Sequence, residues 1–129
     1  MHALVGLYSR RFIPYEKNLY PAIVLGTLFP HIDMLFSSII SIYFPILQSI
    51  EIVHRKFTHS FFTVILIYIF FAIISEIKKD KLYRTIGKGL ALGIMMHIII
   101  DTILWYEGIY FLWPLPVSNS IYGHLMIYQ

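Results

Sequence analysis

Residues 60–77 read SFFTVILIYIFFAIISEI, with Glu76 as the only charge. A helix rising 1.5 Å per residue carries such a run through about 27 Å, close to the hydrocarbon thickness of a bilayer. The chain must either wrap this segment in its own core or place it in lipid. Composition decides for lipid. Hydrophobic residues make up 58% of the 129 positions, where a soluble domain has roughly 45–50% apolar residues even with glycine counted. Mean hydropathy is +0.73. We therefore expect an all-α, polytopic membrane bundle of about three to five helices, with residues 1–129 as a single domain.

Charge fits the same frame. A net charge of +3 and a pI near 9.2 would suggest nucleic acid in a soluble chain. In a membrane chain cations gather in cytoplasmic loops and at lipid headgroups, so no direct nucleic-acid contact is expected. The absence of cysteine excludes disulfides and thiolate metal sites. The stretch ALVGLY is too short for a signal-peptide core, and Arg10 and Arg11 follow it rather than precede it.

Further segments can be placed. Residues 2–9 predict a short helix, stopped by Ser9-Arg10-Arg11 and Pro14. Residues 18–30 form an apolar segment ending at Pro30. Residues 34–50 are apolar but interrupted by Ser37, Ser38, Ser41 and Pro45, which suits a re-entrant or interfacial path. Thr58 stands where the 60–77 helix needs a cap. KKDKLYR (78–84) is expected as the loop after it, and residues 86–106 as another span. The tail 107–129, with Trp113, Pro114, Pro116, Tyr122 and Tyr128, has an interfacial composition. Arg10, Arg11, Lys17, Lys78, Lys79, Lys81, Arg84 and Lys88 fall in or beside two loops. Placing both loops in the cytoplasm satisfies the positive-inside rule. His2, the PHID stretch, His59 and Asp101 then arrive together at the opposite level.

Those residues are the chemistry-bearing ones. His97 and Asp101, four apart in an apolar helix, share one face. Ionisable groups at membrane depth face a partner or a cavity, or simply tie helices together by hydrogen bonding each other. Gly89 and Gly93 continue the same face and allow another helix to approach closely. HRKFTH contributes His54 and His59, and PHID contributes His31 and Asp33; either alone reads equally well as a polar interfacial loop. Glu51, Glu107 and His124 lie on the same side without an assigned role. Together, His2, His31, Asp33, His54, His59, His97 and Asp101 give nitrogen and carboxylate donors without thiolate. Such a set suits zinc, or manganese or iron. It exceeds the needs of one zinc, which leaves two metals, or one metal with supporting partners, both open.

The order of these motifs resembles the YdjM-like, inner-membrane-associated metal-dependent hydrolases, over nearly the whole chain. The family pattern falls on His2, on Leu28-Phe29-Pro30-His31-Ile32-Asp33 with Ser37, on His54-Arg55-Lys56-Phe57-Thr58-His59-Ser60, on His97 and Asp101, and on Gly108 and Leu112-Trp113-Pro114. The resemblance implies a metal-dependent hydrolase of the inner membrane. It is also distantly similar to all-helical zinc phospholipases C and single-strand nucleases, which points to phosphoesters or lipids. Four positions depart from the pattern. His31 stands where the family has aspartate, Met34-Leu35 where it has histidine-proline, and Lys56 where it has glycine. A histidine can still ligate, with one negative charge less.

The expectation is thus a His/Asp divalent-metal site at one membrane face, where Arg55 grips an anionic group and Thr58 offers a hydroxyl. Both are candidate catalytic residues. Two other classes stay open. Intramembrane histidine and aspartate can relay protons or pass a metal in a transporter, which ligands on both faces would favour. The basic loops can meet an acidic cytosolic protein, and the family's naming points to a regulator of the DNA-damage response.

Overall fold

The computed structural model describes residues 2–13, 16–45, 57–104, 112 and 114. Every regular element among them is helical. In order these are α1 (His2–Tyr8), a 3-10 turn (Ser9–Arg11), α2 (Leu19–Leu28), a second 3-10 turn (Phe29–His31), α3 (Ile32–Ile40), α4 (Phe61–Lys78) and α5 (Lys81–Leu104). Leu19–Ile40, Phe61–Lys78 and Lys81–Leu104 are long and apolar enough to cross a membrane. The protein is an all-α polytopic membrane bundle, as its composition requires.

The interior is polar and the exterior greasy. Among the described residues, six buried side chains are hydrophobic and eleven are polar or charged. Large apolar side chains such as Ile65, Leu66, Ile69 and Phe70 of α4 face outward. In water this inversion would be unstable; in lipid the outer face costs nothing and polar groups must find partners inside.

Three sequence expectations need correction. Pro30 does not end the second segment. It sits in the first turn of the short 3-10 stretch, where a missing N–H breaks few bonds. The chain then resumes helix as α3, so His31 and Asp33 stand on helical backbone instead of a loop. The loop predicted over 78–84 shrinks to Lys79 and Asp80. Lys79 takes the left-handed conformation, φ 54°, and its N–H reaches the Ser75 carbonyl. Asp80 accepts from the Leu82 N–H at 2.8 Å, the usual aspartate start signal for a helix. The α4 cap is also displaced. Ser60, in extended conformation, accepts from the Phe62 N–H at 3.0 Å, which leaves Thr58 for another task. The return path 46–56 of the proposed re-entrant segment lies outside the described residues.

Packing fixes the directions. Tyr20 donates to the Leu7 carbonyl at 2.9 Å while His2 lies beside His31, so α1 and α2 are antiparallel. α4 and α5 form an antiparallel hairpin, tied near its turn by Arg84 and Glu76. α2 and α5 run parallel and almost touch. A Cβ on Gly93 would meet the backbone of Ile23, Gly26 and Thr27, and one on Gly89 would meet Ala22 and the Leu19 carbonyl. The expected small-residue seam is present, and α2 completes it with Ala22 and Gly26, themselves four apart. Thr85 donates to Glu16 at 2.9 Å. This bond joins the two cationic loops at one end and sends the histidines to the other.

Candidate metal centre

Four parts of the chain converge at that other end: the start of α1, the Phe29–His31 turn with α3, the residues before α4, and the last turns of α5. His97 enters because the glycine seam brings α5 against α2, where its Nδ1 lies 2.8 Å from the Thr27 carbonyl. A carbonyl only accepts, so Nδ1 carries the proton and, in the neutral ring, Nε2 presents a lone pair. His59 is set by a longer relay. Thr58 donates to Asp33 Oδ2 at 2.9 Å, so its oxygen receives the proton of His59 Nδ1 at 3.0 Å. His59 Nε2 is then also a lone-pair donor.

These two atoms meet Asp101. His59 Nε2 and His97 Nε2 each lie 3.1 Å from Asp101 Oδ2 and 3.2 Å from each other. His97 is 0%, His59 2% and Asp101 8% exposed. These three atoms thus form a nearly equilateral, buried triangle, and when both imidazoles are neutral the tautomers set from behind turn their lone pairs onto its edges. Such an arrangement calls for a cation. Ligands about 2.0–2.1 Å from a tetrahedral ion stand about 3.3 Å apart, which the observed edges match. The donor chemistry, two imidazoles and a carboxylate each oriented by a second partner, fits a divalent metal.

The other Asp101 oxygen faces the opposite way. Oδ1 lies 2.9 Å from His2 Nε2, and His2 Nδ1 lies 3.1 Å from His31 Nε2. The His2 ring stacks obliquely on His97 with centroids 3.9 Å apart. Ligand atoms of His2, His31 and His97 all fall within 4.8 Å of one another, as do those of His59, His97 and Asp101. His31 is exposed and His2 partly so, which makes this the open side. Burial, and next the His97 ring, lower the pKa of His2 below the ordinary imidazole value.

His2, His31, Asp33, Thr58, His59, His97 and Asp101 are therefore brought together as their motifs suggested. His54, Arg55 and Lys56 lie outside the described residues, as do Glu51, Glu107, Trp113 and His124. Ser37, the family's serine, is buried one turn beyond Asp33. Thr27 was not foreseen, because its carbonyl is backbone and no side-chain pattern announces it.

A His/Asp cluster able to hold a divalent metal is thus built into an integral membrane protein. No curated protein and no solved structure matches the chain. The family model described as YdjM inner membrane protein matches residues 1–129. The chain belongs to that family, an integral inner-membrane protein with a metal-binding cluster where its helices converge.

Proposed function

We propose that the protein is a metal-dependent hydrolase acting at the membrane, with zinc as the first-choice ion and manganese or iron as alternatives. The observation that carries this reading is the buried triangle of His59 Nε2, His97 Nε2 and Asp101 Oδ2. These three are the proposed inner ligands. A divalent ion there supplies Lewis acidity and makes water a competent nucleophile at neutral pH.

The chain's own groups have separate tasks. Thr27 and Thr58 hold the two imidazoles in the required tautomers. Asp33 anchors Thr58. Asp101 ties the inner triangle to His2. His2 and His31, on the accessible side, line the approach of substrate. Arg55 is the candidate grip for an anionic group, and Thr58 is reassigned from reactive hydroxyl to positioning residue because it is buried between Asp33 and His59. A phosphoester, most simply of a lipid headgroup, suits a site reached from within a membrane. An acidic cytosolic protein at the basic loops remains a proposed partner, independent of the chemistry.

The test uses protein purified in detergent without a histidine tag. Bound metals are counted by mass spectrometry, and hydrolysis of chromogenic phosphodiesters and of phospholipids is assayed. Near-stoichiometric zinc, manganese or iron, lost in a His97→Ala/Asp101→Ala variant that keeps its helical circular dichroism, is the expected result, together with metal-dependent turnover. A wild type that takes up no ion after reconstitution with each metal refutes the reading.

A further inference from the structure

Helix α1 is too short to cross a membrane. Together, His2–Tyr8 and the turn Ser9–Arg11 rise about 15 Å, half of a hydrocarbon layer about 30 Å thick. His2 fixes one end beside Asp101. The other end carries Arg10 and Arg11, both exposed. α1 therefore follows the bundle through the depth of a single leaflet, on the side of the basic loops. Its inward face packs on α2, where Gly6 lies against Thr27 and Val24. Its outward face is grooved. Leu4, Val5, Leu7 and Tyr8 line a cavity of about 560 Å³, a size ordinary for a small-molecule site. Helical spacing carries this apolar stripe from Leu4 through Leu7 and Tyr8 to Arg11. Beside it, the Arg10 guanidinium stands over the Tyr20 ring, 5.9 Å from its centroid, and Tyr20 donates to the Leu7 carbonyl. The cation is thus braced by α2 at the mouth of the groove.

We infer that the α1 groove is a selective binding site for one anionic phospholipid of the leaflet at the basic end. An acyl chain lies along Leu4, Val5, Leu7 and Tyr8, and the phosphate sits at Arg10 and Arg11. Guanidinium groups meet phosphate oxygens two at a time, which suits them to this end of the site. The groove matches the chain in polarity, since no carboxylate lines it among the described residues. It matches it in length as well, because α1 and its turn are as long as one leaflet is deep. The acidic group nearest the arginines in sequence, Glu16, is engaged by the Thr85 hydroxyl of α5.

Competing occupants satisfy only half of the site. A free phosphate meets the arginines and leaves the groove empty. A zwitterionic lipid fills the groove, but its own cation competes for its phosphate. An anionic phospholipid does both. Its headgroup stands about one leaflet away from the metal centre, so this lipid is retained and not hydrolysed. The inference is therefore independent of the proposed chemistry.

The experiment is native mass spectrometry of the untagged protein in detergent, titrated with phosphatidylglycerol and with phosphatidylcholine of identical acyl chains. Glycerophosphate and inorganic phosphate are added as competitors without chains. Wild type is compared with Arg10→Gln/Arg11→Gln, Leu4→Gln/Leu7→Gln and Lys78→Gln/Lys79→Gln, each checked by circular dichroism. The expected result is one phosphatidylglycerol per chain, held about tenfold more tightly than phosphatidylcholine. That preference should vanish in the arginine variant and persist in the lysine variant. The leucine variant should bind both lipids about tenfold more weakly. Equal retention of the two lipids by wild type overturns the site and leaves α1 coated by bulk lipid. A preference that follows Lys78 and Lys79 instead of the arginines overturns it as well. Displacement of phosphatidylglycerol by glycerophosphate or phosphate, or full affinity in the leucine variant, overturns the groove, since the arginines then bind an anion alone. The lipid comparison and the displacement use wild type, so the inference stays testable even if a substitution prevents folding.

Discussion

Gly93→Ala is the substitution whose outcome separates packing from propensity. On helix propensity alone, alanine should stabilise α5 by about 0.8–1 kcal/mol. The structure demands the opposite sign. A Cβ at Gly93 would press on the Ile23 carbonyl, the Gly26 Cα and the Thr27 amide. All three belong to backbone, which cannot rotate away, so α2 and α5 must move apart. Overpacking of this kind costs about 1–3 kcal/mol. Separation also lengthens the 2.8 Å contact between His97 and Thr27, for a further loss of about 1 kcal/mol. The net expectation is destabilisation by about 2 kcal/mol. The assay is reversible unfolding of the metal-free protein in mixed micelles, with Leu92→Ala on the lipid-facing side of α5 as reference. His97 loses its orientation in the same step, so metal retention should fall in parallel. A Gly93→Ala protein as stable as wild type, or more so, with full metal content would refute the close helix contact and the role given to Thr27.

Other parts of the structure make independent predictions. Thr58→Val keeps shape but removes the bridge between Asp33 and His59; metal affinity should drop about 10–100-fold by competition with a chelating dye, and Thr58→Ser should restore most of it. Ser60→Ala removes the cap of α4 and Asp80→Ala that of α5; each should cost about 1 kcal/mol in the unfolding assay, and Asp80→Ala should leave metal content unchanged. The pKa of His2 is lowered from 6.5 by burial and by His97, so the folded state binds fewer protons than the unfolded one. Stability of the metal-free protein should be full above about pH 6.5 and fall as acid takes the pH through and below that value. His2→Gln should flatten this slope in melting curves taken between pH 7.5 and 5.5, and a melting temperature that rises on acidification would contradict it.

The sequence carried the membrane class, the hairpin of α4 and α5, the seam face at Gly89 and Gly93, and the level at which the histidines meet. Each of these rests on a period or a charge run that one helix displays by itself. What it hid depends on two segments at once. Ala22 and Gly26 become a seam only against Gly89 and Gly93. Thr58 looks like a cap until Asp33 arrives from another helix to accept its hydrogen bond. Pro30 looks like a terminator because nothing local reveals that a 3-10 turn will carry the helix onward. The carbonyl of Thr27 has no sequence signature at all.

The polar cluster also explains the architecture around it. Burying His59, His97, Asp33 and Asp101 in a membrane bundle costs several kcal/mol per uncompensated charge. Hydrogen bonds from the two rings to the Thr27 carbonyl and the Thr58 hydroxyl oxygen offset part of that cost, but they do so by turning the lone pairs of His59 and His97 toward Asp101. An acceptor that satisfies the rear of each ring, a backbone carbonyl for His97 and a threonine hydroxyl for His59, thereby creates the electrostatic demand at its front. An ion that meets this demand binds the folded arrangement and not the separated helices, so its binding energy becomes folding energy. The opposite end of the bundle has no such need. There Glu16 with Thr85 and Glu76 with Arg84 close the helices among exposed groups that water and headgroups can solvate. The bundle is thus held by geometry at its glycine seam, by ordinary polar contacts at its cationic end, and by the hydrogen-bonded His/Asp cluster, able to hold a divalent metal, at the end where α1, α3, the residues before α4 and the last turns of α5 meet.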